Sequence, residues 1–359
     1  RVLESLHEIW PKAPVFTSVY LPNFLGPHRS RFEDWDIRTS VLQNIPFKAK
    51  LISPLRLIAP LIFKFMDLSS YDVIIVSATG AYETNLVKKG KAKLICYYHT
   101  PPRYLYGYET ARDWKKHRIF AFFAEIANHF LRIVDFSSSQ NVDIAIANSN
   151  EVKARIWKFY KKDAVTVYPP VEGDKRTKEH NLPAQAKSKS ESYYVAGGRL
   201  ARAKRIDLAI LAANKLGIKL KIFGRGFANY ENYLKSIAGS TVEFLGEIND
   251  EQKWEVLGNA KAYISPSMDE DFGILNVEAM LTGTPVIAHK SGGSVETIIE
   301  GKTGTFFNIH TDDDLVKALK RFQKMKISSN ICIVQAKKFS KETFKTKMKN
   351  IVDKEAKHA

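Results

Sequence analysis

The most constraining feature of the sequence is one continuous stretch from Ser265 to Ala288, SPSMDEDFGILNVEAMLTGTPVIA. Its pattern predicts a strand end, a tight loop, a short helix, a stop at Gly283 and a new buried strand from Pro285. Because Gly273 keeps the turn free of a side chain, the unpaired N–H groups at the helix start can approach a ligand closely. Together with the helix dipole, these donors favour an anion such as phosphate.

Two glutamates flank this helix start. Glu270 lies in the loop, and Glu278 lies just over one turn inside the helix. A carboxylate accepts hydrogen bonds from paired hydroxyls, and a sugar and a ribose both offer such pairs. The pattern therefore favours a sugar-nucleotide site over the simpler alternative, an ordinary strand–helix–strand unit with acids on its solvent face.

Predicted strands and helices alternate through most of the chain, which is typical of an α/β fold. At 359 residues the chain is long enough for two domains with separate cores. The polar residues 172–191 predict a linker. We therefore expect a first domain over residues 1–171 and a second over residues 192–335.

Three segments of the first domain bear on function. His99 ends a predicted strand, where ligands collect in open parallel sheets, although a structural role is the alternative. Residues 45–66 mix prolines, lysines and large apolar side chains, which suits either a membrane surface or a helix packed on its own domain. Residues 108–136 are predicted to form a long amphipathic helix.

The formal net charge of +17 favours nucleic acid, an anionic membrane or phosphorylated substrates as partners. Against nucleic acid, the charge is scattered and no recognisable reading module accompanies it. The two cysteines, Cys96 and Cys332, sit in apolar runs and suggest a reduced, cytoplasmic setting.

Three motifs, taken together and in this order, resemble those of the retaining glycosyltransferases of the GT-B fold, the family-4 or group 1 type. The similarity is greatest to bacterial mannosyltransferases of O-antigen and polysaccharide assembly. The motifs are Tyr98-His99-Thr100-Pro101, Gly198-Arg199-Leu200 with Lys204, and Glu270-Asp-Phe-Gly-Ile with Glu278. The resemblance covers nearly the whole chain. It implies two Rossmann-like domains facing a cleft, with residues 336–359 crossing back onto the first domain.

The resemblance also implies roles for individual residues. Arg199 and Lys204 are expected to bind the donor diphosphate and to stabilise it as it leaves. Glu270 is expected to contact hydroxyls of the transferred sugar, and His99 to lie near the anomeric carbon. The expected donor-binding residues are Gly198, Phe272, Gly273, Ile274, Leu275 and Glu278, the last on the ribose. No metal or other cofactor is expected, because cations and helix ends neutralise the diphosphate.

The implied function is transfer of mannose from GDP-mannose to a lipid-linked or polysaccharide acceptor in cell-surface glycan assembly, such as lipopolysaccharide. The enzyme is expected in the cytoplasm, peripheral on the membrane, with no nucleic-acid partner. A UDP-sugar donor, a non-catalytic sugar-nucleotide binder and, more distantly, a basic nucleic-acid-binding protein are the alternatives. Relatives begin with a strand and a Gly-Gly loop, whereas this chain opens at Arg1 on a helix-like segment. The first domain is therefore expected to lack its opening strand, which favours the non-catalytic alternative, whereas the presence of Arg199, Lys204, Glu270 and Glu278 argues against it.

Overall fold

The structure is a computed structural model that describes residues 1–49, 51, 58–80, 83–109, 118–173 and 192–357. Most of the predicted linker, residues 174–191, lies outside the described residues, as do parts of the segments 45–66 and 108–136. The described residues form two α/β halves, each built on a parallel sheet. The predicted fold class is confirmed.

The first half contains a four-stranded parallel sheet, ordered β3-β4-β5-β6, and a separate parallel pair, β1 with β2. The sequence predicts that this half lacks its opening strand. Its described strands form the four-stranded sheet and the separate pair. The strands are Val15–Thr17 (β1), Ile37–Thr39 (β2), Val73–Thr79 (β3), Lys93–Thr100 (β4), Ile144–Ala147 (β5) and Ala164–Thr166 (β6). The α-helices described here are Val2–Ile9 (α1), Ala59–Lys64 (α2), Arg118–Gln140 (α3) and Asn150–Tyr160 (α4).

The second half is built on a six-stranded parallel sheet, ordered β12-β11-β10-β7-β8-β9. Its strands are Tyr194–Gly197 (β7), Leu220–Phe223 (β8), Val242–Gly246 (β9), Tyr263–Ser265 (β10), Val286–His289 (β11) and Gly304–Phe307 (β12). Its helices are Ile206–Leu216 (α5), Tyr230–Ile237 (α6), Asp250–Asn259 (α7), Ile274–Leu281 (α8), Ser294–Thr297 (α9), Asp312–Phe322 (α10) and Ser329–Lys337 (α11).

The strand order of the second sheet locates its binding crevice. The chain runs outward from β7 to β9 on one side and from β10 to β12 on the other. The reversal lies between β7 and β10, and ligands of open parallel sheets bind outside the carboxyl ends of the strands at such a point. The loop after β7 holds Arg199 and Lys204, and the loop after β10 holds Glu270. The topology therefore brings these residues to one crevice.

Two helix bounds of the first half have local causes. The hydroxyl of Ser149 accepts a hydrogen bond from the N–H of Val152 at 3.0 Å, which caps the start of α4. Helix α3 continues to Gln140, four residues beyond the predicted end. Within this extension the hydroxyls of Ser138 and Ser139 donate to the carbonyls three residues earlier, at 3.1 and 2.7 Å, so both buried hydroxyls are paired inside the helix.

The chain passes between the two halves again near its end. The N–H of Val171 donates to the carbonyl of Phe339 at 3.0 Å, and Val171 forms a parallel bridge with Ser340. The last helix, Lys341–Ala356 (α12), then packs on α1 and on β3 and β4 of the first half. Its Phe344 and Met348 are buried with Leu6 in a shared apolar core.

Candidate active site

A cavity of about 460 Å³ lies between the two halves. The first half contributes His99 and Asn148, and the second contributes most of the remaining wall. Of the residues predicted from the sequence, its lining includes His99, Gly198, Arg199, Lys204, Glu270, Phe272, Gly273, Ile274 and Leu275. Nine of the ten predicted site residues thus meet at one place, although they come from three separate parts of the sequence.

The start of helix α8 forms one wall of this cavity. Gly273 precedes the helix with φ of +83°, a left-handed conformation that favours glycine. The N–H of Asn276 donates to the carbonyl of Gly273 at 3.0 Å, whereas the helix itself offers no carbonyl to the N–H groups of Ile274 and Leu275, which can receive an anion. The position is therefore built as the sequence predicts.

A second glycine, Gly224, supports the cavity wall that lies opposite helix α8. Gly224, at the end of β8, has φ of +130°, and a Cβ atom there would lie 1.7 Å from the carbonyl oxygen of Gly198. Only a residue without a side chain permits this approach. Gly224 therefore serves the packing of the loop that carries Arg199.

Lys204 and Glu270 form the central ion pair of the cavity. The ammonium of Lys204 lies 2.7 Å from each carboxylate oxygen of Glu270. Burial by itself would raise the pKa of Glu270, but the charge of Lys204 and its hydrogen bond outweigh burial and lower it. Glu270 is therefore ionised at neutral pH, and the pair presents a fixed cation beside a fixed hydrogen-bond acceptor.

Arg199 is exposed at the same cavity, and its guanidinium lies 5.9 Å from the centre of the Phe227 ring. Within the described part of the chain it makes no ion pair with a carboxylate. Its charge is thus available to an anionic ligand.

His99 comes from the other half, at the carboxyl end of β4. Its Nε2 lies 3.0 Å from the hydroxyl oxygen of Ser77, and its ring meets Tyr97 edge-on at 5.2 Å. Burial lowers the pKa of His99 to about 4, with a smaller contribution from the charged amino terminus. The imidazole is therefore neutral at pH 7 and acts as a hydrogen-bonding group rather than a cation.

Glu278 is placed differently from the prediction. Its side chain is only 2% exposed and does not line the cavity. The ammonium of Lys253 donates to its Oε1 at 2.9 Å, and the guanidinium of Arg1 donates to the same oxygen. Arg1 itself lines the cavity. The carboxylate thus lies behind Arg1, and a ribose can reach it only if that side chain moves.

Comparisons with known proteins show similarity to one family of enzymes. Residues 177–339 match the model of the glycosyl transferases group 1. An alpha-1,3/1,6-mannosyltransferase, ALG2 of Dictyostelium discoideum, is 26% identical over 343 residues, which are 83% of this chain and 79% of that protein. ALG2 of Kluyveromyces lactis is 25% identical over 278 residues, 65% of this chain and 53% of that protein. Residues 177–339, just under half of the chain, therefore match the group 1 glycosyltransferases, and the similarity to a mannosyltransferase extends over most of the chain.

Solved structures of other proteins share the fold of this chain. HepE of Anabaena, solved with UDP, aligns with a TM-score of 0.69 at 16% identity, covering 98% of this chain and 95% of that one. The lipopolysaccharide outer core galactosyltransferase WaaB aligns with a TM-score of 0.63 at 19% identity, covering 91% and 86%. The two-domain GT-B arrangement is therefore confirmed.

Sequence reasoning missed the contacts that hold the two domains of the glycosyltransferase together. Arg103 donates to the carbonyl of Asp269 at 2.9 Å and to the carboxylate of Asp271 at 3.1 Å. Arg155, only 2% exposed, also donates to the Asp269 carbonyl at 2.9 Å and pairs with Asp271. These two arginines of the first domain thus contact Asp269 and Asp271, the residues on either side of Glu270. No spacing in the sequence signals contacts between residues more than a hundred positions apart.

A second cross-domain contact uses a helix start. The carboxylate of Glu296 accepts hydrogen bonds from the backbone N–H groups of Asn150 and Glu151, at 2.8 and 2.9 Å. These are the first two residues of α4, where the helix dipole favours a negative charge. The sequence around Glu296 does not indicate this contact, because its partners lie more than a hundred positions away.

The described residues hold no grouping of three or more His, Cys, Asp or Glu side chains suited to a metal ion. They also contain no helix with the length and apolar character needed to cross a bilayer.

Proposed function

We propose that this glycosyltransferase transfers mannose from GDP-mannose, with retention of configuration, to a lipid-linked or polysaccharide acceptor in cell-surface glycan assembly. Mannose is chosen because the relatives named above are mannosyltransferases. The observation that carries the proposal is the meeting of Lys204, Glu270, Arg199 and the start of α8 around one cavity, with His99 facing them from the other domain.

The leaving diphosphate gains negative charge as the bond to the sugar breaks. In this proposal Lys204, Arg199 and the N–H groups at the start of α8 receive that charge. Fixed donors of this kind lower the barrier because they need no reorganisation during the reaction. The assignment places the diphosphate on protein groups, and no metal ion or other cofactor is part of it.

Glu270 and His99 are assigned to the sugar. The ionised carboxylate of Glu270 can accept from sugar hydroxyls while Lys204 holds it in place. Neutral His99 can exchange a hydrogen bond with the sugar near the anomeric carbon, since its burial keeps it uncharged. Closure of the cavity between the two domains would exclude water and limit hydrolysis of the donor.

The nucleotide is assigned to the second domain, with Glu278 on the ribose after Arg1 is displaced. A UDP-sugar is the alternative donor, because the similar structure of HepE was solved with UDP. The contact of Arg1 with Glu278 favours a third possibility, the non-catalytic alternative, because Arg1 occupies the carboxylate that the ribose would use.

We further propose that the protein acts in the cytoplasm, peripheral on the membrane that carries its acceptor. The exposed apolar residues Phe47, Leu61 and Phe65 lie in the predicted surface segment, beside Lys48 and Lys64. A basic and apolar surface of this kind suits an anionic bilayer.

The decisive experiment is calorimetric titration of the purified chain with GDP-mannose, GDP, UDP-glucose and UDP-N-acetylglucosamine. We expect binding to GDP-mannose and GDP, reduced in Lys204→Ala. Arg202→Ala is the matched control, because Arg202 is an exposed cation of the same loop that lies over Tyr230 and does not line the cavity. Preference for a UDP-sugar would replace the donor, and no binding by a folded sample would support the non-catalytic alternative. Transfer to a lipid-linked acceptor, with the anomeric configuration read by NMR, tests retention.

A further inference from the structure

Helix α3 exposes a row of large apolar side chains. The fractional exposures are 64% for Phe122, 63% for Phe123, 43% for Ile126, 62% for Phe130, 56% for Ile133 and 43% for Phe136. At 3.6 residues per turn, these six positions fall within about 140° of the helix circumference. We call this set the apolar face of α3. Such a face on a surface helix normally packs against the protein core.

The side of α3 that does pack inward is polar. Its buried residues include Asn128, Asp135, Ser138 and Ser139, which lie opposite the apolar face. The carboxylate of Asp135 accepts hydrogen bonds from the hydroxyls of Tyr106, at 2.5 Å, and Tyr160, at 3.2 Å. The helix is thus oriented with its polar side toward the protein, which is the reverse of an ordinary surface helix.

A second exposed apolar group lies beside α3. Helices α2 and α3 both pack on the turn Thr84–Leu86. Next to α2, Phe65 is 81% exposed, and within it Leu61 is 57% exposed. Lys64 ends the same helix. The apolar face of α3 therefore continues toward a neighbouring apolar group that carries a cation.

The charges of the molecule favour a lipid surface as the occupant. The chain carries a formal charge of +17, so two copies repel each other, whereas an anionic bilayer attracts each one. On α3 itself, Glu125 and Arg132 pair at 2.9 Å and cancel. Phenylalanine and isoleucine side chains with basic residues nearby are the composition of helices that lie in a bilayer interface.

We infer that α3 lies flat on an anionic bilayer, with its apolar face at the boundary between headgroups and acyl chains. This inference rests on the proposed lipid-linked acceptor and identifies the docking element. Helix α3 also connects to the cavity. Arg132 donates to the carbonyl of Leu105 at 2.9 Å, and the same loop carries Arg103, which contacts Asp271 beside Glu270. Docking through α3 therefore places the first domain, which faces the donor site across the cavity, against the bilayer.

The test is sedimentation of the full chain with vesicles of phosphatidylcholine alone or mixed with phosphatidylglycerol. The wild-type chain should bind the anionic vesicles and release them as salt rises. The variant Phe122→Ser/Phe130→Ser should bind at least about tenfold more weakly. The matched control is Ile309→Ser/Val334→Ser, which removes two apolar side chains of the second domain with exposures of 62% and 60%. The control should bind as the wild type does.

Three results would overturn the inference: equal vesicle binding by the α3 variant and the wild type, no binding of the wild type at low salt, or a wild-type dimer that the α3 variant dissociates. The last result would make a second copy the occupant. Donor titration without vesicles separates this inference from the proposed function. It should be unchanged in the α3 variant, which also shows that the variant is folded. Loss of donor binding in the wild type would count against the proposed function while leaving the vesicle result intact.

Discussion

Helix α10 of the second domain and helix α3 of the first have the same kind of sequence and opposite orientations. In α10, Leu315, Ala318 and Leu319 are buried, whereas Asp313 is 74% exposed. In α3, by contrast, Phe130 is exposed and Asp135 is buried. Both helices alternate apolar and polar residues with the helical period. The comparison teaches that periodicity predicts two unlike faces but cannot decide which of them meets the protein.

The same contrast separates the tasks of the two domains. The second domain turns its polar and charged loops toward the cavity and covers its sheet with amphipathic helices in the ordinary sense. The first domain supplies His99 and Asn148 to the cavity and exposes several large apolar side chains on α2, α3 and nearby loops. We therefore expect variants of the second domain to change chemistry, and variants of the first to change docking or stability.

The largest effect is expected at Lys204. Lys204→Ala removes the cation that faces both Glu270 and the leaving diphosphate, so turnover should fall by about a hundredfold or more. Steady-state rates with saturating donor measure this, with Arg202→Ala as the control. Equal rates in the two variants would remove the diphosphate assignment from this loop.

Glu278→Ala should weaken donor binding by about tenfold to a hundredfold, since a hydrogen bond to a charged group is lost. The substitution also leaves Lys253, which is 11% exposed, without one of its carboxylates. The double variant Glu278→Ala/Lys253→Met removes that second effect. Calorimetry on both variants measures the ribose contact. Donor affinity equal to the wild type in the double variant would show that Glu278 only balances Lys253.

His99→Gln tests the one first-domain side chain placed at the chemistry, and turnover should fall by about tenfold. Because the pKa of His99 is about 4, the wild-type rate should show no titration of this group between pH 5 and 8. The unfolded state binds its proton near pH 6.5, so the contribution of His99 to stability falls as pH drops from about 6.5 to 4. Unfolding of wild type and variant across this range checks the sign. A difference independent of pH would contradict it.

The smallest effect is expected at Asp135, on the buried side of α3. Burial raises the pKa of Asp135 to about 7, although the Tyr106 and Tyr160 hydroxyls lower it in part. The unfolded state releases this proton near pH 4, so the stability contribution of Asp135 is present below pH 4 and is lost as pH rises to 7. Asp135→Asn should therefore gain stability relative to the wild type between pH 5 and 8. Denaturant unfolding measures this, and Asp34→Asn, at an exposed position, should show no such trend.

Local chemistry in the sequence predicted local structure well. The glycine before α8 and the strand that carries His99 near its carboxyl end depend on neighbouring residues, and both are present, although the strand continues to Thr100. The group 1 family and the GT-B fold are confirmed as well. The individual roles of the site residues stay predictions, since they concern a bound donor.

Pairings between distant residues could not be predicted in the same way. Lys253 contacts Glu278 from another helix, and Arg1, the first residue of the sequence, contacts the same carboxylate. Nothing near Glu278 in the sequence specifies these partners, because they follow from how the helices and domains pack. The position of Glu278 behind Arg1 is the clearest difference from the expected site.

The pairing of Val171 with Phe339 and Ser340 constrains how the domains can move. The chain passes between the domains after Val171 and again near Phe339. The described residues at these two points lie side by side, and the N–H of Val171 donates to the carbonyl of Phe339. A rotation about a line through this pair keeps that bond, whereas sliding one domain past the other breaks it. The pair therefore favours rotation of the domains over sliding. Such a rotation, if it opened the cavity, would part Arg103 and Arg155 from Asp271 and Glu296 from the start of α4, so these contacts would oppose opening.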